Sequence, residues 1–367
     1  MSFSNLPYEL QEAILADQDK SDLTSLCLVS KSSLEIARPL LYRSLEITFY
    51  SKDEEKQHYE YLEEEEDTET RQRSNGESFE ESFIRKISRQ AALLRTFGQH
   101  SEWNSYVKEV EAIIAGDPDQ LVGELIHLVS SFSALQSLKM SPGAAAEVVW
   151  NKAMESMLGS CSRNLRSLYL DGAGSKTDEL HQVLRNFPLL ESLALPELHE
   201  DEDPLLTTSY EDISLANLKN LVVPHPNRPF FHTFTISLPS LVSLSVDFAA
   251  LPALDPSRLF TIRALTLSGF VDLYNQSSLS IVPRILGGCT SLRSFKLVDG
   301  NGQDDSQVRK ELATRRFLHH LSPTLQYLSL ATQNLDPSYL LDWITSTPST
   351  LKQITLSRLT HTTISYF

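Results

Sequence analysis

The sequence predicts an α/β fold: an irregular solenoid in which short parallel strands stack into one curved sheet, with mixed helices and loops outside. Three observations carry this reading. First, a six-residue phrase, L-x-x-L-x-L, occupies Leu165–Leu170 and returns at Leu135, Leu190, Leu218, Leu241, Ile262, Leu292, Leu325 and Leu351. The intervals are 30, 25, 28, 23, 21, 30, 33 and 26 residues, the recurrence expected of a stacked-repeat protein. Second, the last three residues of each copy alternate apolar, variable, apolar, the period of a strand with one buried face. Third, turn formers separate the copies, as in Asp171-Gly172-Ala173-Gly174 and Asp299-Gly300-Asn301-Gly302, where glycine and asparagine supply the backbone freedom a tight turn needs. One such strand cannot bury its leucines alone, but a stack of them can.

Residues 1–43 lie outside the repeat. Pro7 suits the first turn of a helix, where its missing N–H costs nothing, and Leu10, Ile14 and Leu15 follow at helical spacing. Ser21 or Asp22 is placed to cap a second short helix carrying Leu23, Leu26 and Cys27. A third, roughly Ser32–Ala37, should end before Pro39, because a proline pushes its predecessor out of the α region. Three short helices bury too little to stand alone. Some of their apolar surface must therefore face the repeats or a partner.

Residues 44–134 read as the first irregular repeats. Ser44–Phe49 (SLEITF) alternates like a strand, residues 50–78 form an acidic loop poor in apolar residues, and an amphipathic helix is expected over Glu81–Phe97. Tyr106–Ile113 is expected as a second irregular strand and Asp119–Ser131 as a helix. Residues 135–367 are the solenoid proper, with helices expected at Ala144–Leu158, Lys176–Asn186, Leu279–Leu286, Asp305–His320 and Pro337–Thr345. Short intervals and Pro224, Pro226, Pro229, Pro239, Pro252 and Pro256 predict extended connections in the middle.

The order of Leu6-Pro7, Leu10, Ile14-Leu15, Leu23, Leu26, Val29-Ser30-Lys31 and Ala37-Arg38-Pro39-Leu40-Leu41-Tyr42-Arg43 resembles the F-box. It is similar above all to fungal F-box proteins in which such an Arg-Pro-Leu-Leu-Tyr-Arg stretch leads into leucine-rich repeats. The tryptophan that family members carry late in the motif is absent here. The resemblance implies a substrate-recognition subunit of an SCF-type E3 ubiquitin ligase. The helical module would bind the Skp adaptor, and through it a cullin-based ligase, while the repeats bind a target protein. Leu6, Pro7, Leu10, Ile14, Leu15, Leu26 and Val29 match its adaptor-facing positions. The residues alone also permit a non-catalytic leucine-rich-repeat scaffold whose N-terminal helices are only a solenoid cap. The two readings differ in one respect: a cap turns its apolar residues inward, and an adaptor site leaves Leu6, Pro7 and Leu10 open.

Between the leucines, the variable strand positions should line the concave face. Most are small and hydroxylic, so Tyr169, Asp171, Asp247, Lys296 and Tyr327 stand out as candidate target-binding anchors. A formal charge of −16 and a pI near 5.1 argue against nucleic acid or an anionic membrane as the main partner, since both need clustered Lys and Arg. Three scattered cysteines, Cys27, Cys161 and Cys289, show no metal or redox spacing. No signal peptide or transmembrane run is evident, and a cytoplasmic and/or nuclear location is expected. No phosphate loop, nucleophile elbow, zinc helix or dinucleotide fingerprint occurs. His319 and His320 adjoin, and neighbours on a helix diverge too far to chelate one metal. The chain is therefore expected to use no cofactor or metal and not to be an enzyme.

Overall fold

The computed structural model describes residues 6–16, 18–50, 92–93, 95–115, 128–142, 158, 164–170, 184–195, 215–223, 238–247, 251, 254–268, 276–298, 318–331, 337–346, 350–356 and 363–365. They fall into two compact units, Met1–Ala173 and Gly174–Phe367. The acidic loop 50–78 lies outside the described residues apart from Tyr50. So do the expected helix over Ala144–Leu158 except Leu158, and most of those over Glu81–Phe97, Asp119–Ser131, Lys176–Asn186 and Asp305–His320.

The first unit begins with three helices: α1 (Tyr8–Ala16), α2 (Lys20–Val29) and α3 (Lys31–Leu41). Local capping sets their boundaries. The Asp19 carboxylate accepts from Asp22 N at 2.8 Å and opens α2, so the cap falls before the expected Ser21 or Asp22. Ser30 closes α2 and opens α3, its hydroxyl accepting from Ser33 N at 3.1 Å. One residue thus stands at both boundaries of the corner and caps the start of α3. Contrary to expectation, α3 runs through Pro39 to Leu41. The proline sits in the last turn, where its missing donor costs a single helical bond. Ile36 and Ala37 are buried, and Leu40 and Leu41 pack against the same cluster, which holds that turn in place.

Four parallel strands follow in the order β1 (Ser44–Tyr50), β2 (Glu109–Ala115), β3 (Ser137–Pro142) and β4 (Ser167–Leu170). β2 begins three residues later than expected. Its register with β1 and β3 puts Val110 and Ala112 in the core beside Leu45, Ile47, Leu138 and Met140. An aromatic chain joins the helices to these strands. Tyr42 stacks on Trp103 at 5.2 Å and meets Phe97 edge-on at 5.6 Å, and Phe97 meets Phe132 at 5.5 Å. The Arg38 guanidinium lies 4.9 Å from the Trp103 ring centre, and Lys20 Nζ donates to Ser44 O at 3.0 Å.

The second unit stacks β5 (Ser192–Ala194), β6 (Asn220–Val223), β7 (Ser243–Asp247), β8 (Ala264–Ser268), β9 (Ser294–Val298), β10 (Tyr327–Ala331) and β11 (Gln353–Leu356), all parallel. β12 (Thr363–Ser365) pairs antiparallel with β11 and covers that side of it. α4 (Gln276–Gly288) and α5 (Pro337–Ser346) match the expected helices within about a turn. Gly288 ends α4 against a single 3-10 turn, Pro256–Arg258, so tightly that an added Cβ would collide with the Pro256 carbonyl.

Each phrase works in the same way throughout. From Leu135 to Leu330 every leucine-type position is at most 4% exposed, whereas Leu351 and Leu356 of the last copy are only half-buried. The residue after the first leucine offers its carbonyl to two successive amides of the next strand. Arg263 O, for example, accepts from Arg293 N and Ser294 N, both at 2.8 Å. Threonines just ahead of the phrase add a second ladder: Thr261 donates to Leu241 O, Thr324 to Leu292 O and Thr350 to Leu325 O, at 2.7, 2.8 and 2.9 Å. These hydroxyls satisfy carbonyls at the strand entry.

Candidate interaction surfaces

Two kinds of surface are left over once this burial is accounted for. On the helical module, the core is small: Leu15, Leu23, Ile36 and Ala37, with Leu26, Cys27, Leu40 and Leu41 packed against them. Several other apolar side chains face outward. Leu10 is 52% exposed, Ile14 48%, Leu28 84% and Val29 72%, and Tyr8 and Pro7 are exposed as well. Leu10 and Ile14 lie one helical turn apart and share a stripe on α1. Leu6 is half-buried, and its carbonyl accepts from the Gln11 amide at 2.6 Å.

Two of the expected contact positions are corrected. Leu15 is 4% exposed and belongs to the module core, because it points inward while Ile14, one residue away, points out. Leu26 packs against the same core. Leu28, not among the expected residues, is the most exposed large apolar side chain of those described. The run Leu26-Cys27-Leu28-Val29 is apolar all round, so helical period alone does not say which of its residues is outside.

The open face of the first unit's sheet carries Glu46, Glu111, Lys139 and Tyr169 on consecutive strands in register. Lys139 Nζ lies 2.5 Å from Glu111 Oε1 and 5.6 Å from the Tyr169 ring centre. Arg43 Nε approaches Glu109 Oε1 at 3.7 Å. Tyr169 is exposed as expected, whereas Asp171 lies outside the described residues. Glu109 and Glu111 are not among the expected anchors, because they precede the first full phrase at Leu135. Their alternation with Val110 and Ala112 was the available signal.

The second unit's open face is plainer. Lys296 and Tyr327 are both exposed and sit on neighbouring strands, Lys296 in register with Ser329 and Tyr327 with Ser294. Asp247 is corrected: it is 5% exposed at the end of β7, opposite Ser268, and is a buried polar group rather than a surface anchor. One strand, β8, separates its strand from that of Lys296.

Electrostatics at these surfaces are mild. Burial raises the Cys27 thiol, opposed by the Arg38 charge. The fully enclosed Cys289 thiol is pushed up to about 12 by burial alone. Asp255 is held low by the Ser257 hydroxyl and amide, with Arg258 adding to it. Among the described residues no three His, Cys, Asp or Glu side chains gather to hold a metal. His319 does not pair with His320 but meets the Tyr339 hydroxyl at 2.9 Å. No described helix is long and apolar enough to cross a membrane.

No family model matches the chain, and no curated protein matches it. Solved structures do. One is the leucine-rich repeat-containing protein LegL7 from Legionella pneumophila, 14% identical over 71% of this chain and 77% of that one, with a TM-score of 0.40. A second is the TLR13–ssRNA13 complex, 14% identical over 69% of this chain but only 39% of that one, at 0.39. A third, from Bacteroides fragilis, is 12% identical over 71% and 69%, at 0.36. In its own geometry, with one leucine phrase per parallel strand and one carbonyl serving two amides at each step, the chain has the leucine-rich-repeat fold.

Proposed function

We propose that the chain is the substrate-recognition subunit of an SCF-type ubiquitin ligase, its N-terminal helices docking on a Skp adaptor and its repeats holding a target protein. One observation carries this reading: a module with four buried core side chains among its described residues leaves Leu10, Ile14, Leu28 and Val29 between about half and four-fifths exposed. Uncovered apolar surface of this kind marks a docking site. The F-box order that includes Leu10, Ile14 and Val29 supports the choice of adaptor. A pure cap would spend those leucines inward. Here Arg38 and Tyr42 at the far end of α3 stack on Trp103, and Leu10 and Ile14 of α1 and Leu28 and Val29 of α2 are left exposed for a partner. The contribution to catalysis is proximity: the assembly brings the target to the transferring machinery, with no covalent step on this chain.

Co-purification tests it. The wild-type chain is expected to retain a Skp adaptor through gel filtration, and Leu10→Asp with Leu28→Asp to lose it while keeping its unfolding midpoint. Failure of the wild type to bind any Skp adaptor sinks the proposal.

A further inference from the structure

The entry edge of the second unit's sheet carries a charge pattern at odds with the acidic chain around it. Arg263, Arg293, Gln326 and Lys352 each follow the first leucine of their phrase. Each accepts a place in the carbonyl ladder, Arg293 N on Arg263 O, Gln326 N on Arg293 O and Lys352 N on Gln326 O, all at 2.8 Å. They are therefore stacked one per strand, about 4.8 Å apart. Arg263, Arg293 and Lys352 are exposed. Lys296 adds a fourth exposed cation two residues into β9's open face, and Tyr327 stands on the next strand, its amide bound to Arg293 O at 2.9 Å.

Among the described residues no carboxylate forms an ion pair with them. The stretches 263–268, 293–298, 326–331 and 352–356 contain no Asp or Glu. Two strands earlier the same column is neutralised, with Lys219 Nζ 2.7 Å from Glu191 Oε2. From Arg263 onward the described residues provide no such partner. Like charges on facing positions of neighbouring strands destabilise a sheet. A chain with 48 acidic residues against 32 basic ones nevertheless sets two arginines side by side there.

We propose that Arg263, Arg293, Lys296 and Lys352, with Tyr327 among them, dock an extended acidic segment of the target protein, rich in Asp and Glu. Guanidinium forks take carboxylates in a bidentate manner, and a tyrosine supplies a rigid anchor at small entropic cost. From Arg263 to Lys352 is three strand spacings, about 14 Å, the reach of roughly four to five extended residues. The segment would run across the strands, meeting one cation at each step. This proposal rests on the reading of the repeats as the target-holding part and names the chemistry of what they hold.

The test uses the full chain and fluorescein-labelled octaglutamate, with octaglutamine and an eight-residue oligothymidylate as comparisons, followed by fluorescence anisotropy. Octaglutamate should bind, weaken several-fold between about 50 and 200 mM salt, and lose about ten-fold or more in affinity to Arg263→Glu with Arg293→Glu. Lys352→Glu, at a separate exposed position, should weaken it in the same direction. Both variants should unfold no earlier than the wild type, since the substitutions relieve repulsion. Octaglutamate binding that is absent, or unchanged in both variants, overturns the proposal, as does equal or tighter binding of the oligothymidylate, which would mark a nucleic-acid surface. The Arg263→Glu, Arg293→Glu chain should still retain a Skp adaptor. Peptide binding without adaptor retention by the wild type supports this surface and overturns the ligase reading. Adaptor retention without peptide binding does the reverse.

Discussion

In the interior of the repeat sheet, a leucine is sealed by the equivalent apolar residue on the strands either side, so Leu244, Leu265 and Phe295 are all about as buried as a side chain can be. In the helical module, Leu15 and Leu23 are sealed, but Leu10 and Leu28 on the same two helices are open to solvent. The difference follows from how each is built. A translational stack supplies a neighbour for every copy, whereas three short helices enclose only what fits between them. Apolar residues are therefore structural by default in the sheet and available by default in the module. The sheet's recognition surface must come from the residues between its leucines, and the module's from the leucines themselves.

Four substitutions or labelling experiments break or sharpen this contrast. The largest effect is expected for Phe295→Ala, which empties a fully enclosed site between β8 and β10 and should cost about 3–5 kcal/mol in urea unfolding. Next is Trp103→Ala. It removes the ring that Tyr42, His100 and Arg38 stack on and should cost about 1–2 kcal/mol. Hydrogen exchange should quicken in α3 and β1 and stay unchanged in the second unit. Smaller still in stability, Leu10→Asp with Leu28→Asp should shift unfolding by no more than about 0.5 kcal/mol, since both side chains are more than half exposed. A large loss there would show that the module needs these residues as core.

The last contrast is chemical. Cys27 lies half-buried in the module and Cys289 buried in the sheet. The Cys289 thiol, raised by burial to about 12 from an unfolded value of 9.0, stays protonated at pH 8, and thiolate is the reactive form. Its preference for the neutral state stabilises the fold fully below pH 9.0 and is lost as pH rises through about 12. Iodoacetamide at pH 8 should therefore label Cys27 well before Cys289, and denaturant should remove the difference, as read by peptide mass spectrometry.

The strands were legible because one phrase encodes both period and burial: all nine copies became β3 to β11, and SLEITF became β1. The rest depended on neighbours the phrase does not contain. Asp247 occupies a variable position yet is buried at the end of β7, which strand alternation alone does not indicate. Leu15 and Ile14 are adjacent and apolar, and only the packing of α3 chooses between them. Pro39 fails to end its helix because the last turn is held from the side by the core. The cation column at Arg263 and Arg293 is not legible in the sequence, because the position after the first apolar residue of the phrase looks like a connection there. Its ladder of carbonyls makes it part of the sheet.

The most direct measurement is hydrogen exchange on the wild-type chain with and without a purified Skp adaptor. The account predicts slowed exchange confined to residues 8–16 and 20–29, around Leu10, Ile14, Leu28 and Val29, with the repeat strands unchanged. Exchange that is unaltered everywhere, or slowed only in the repeats, contradicts it.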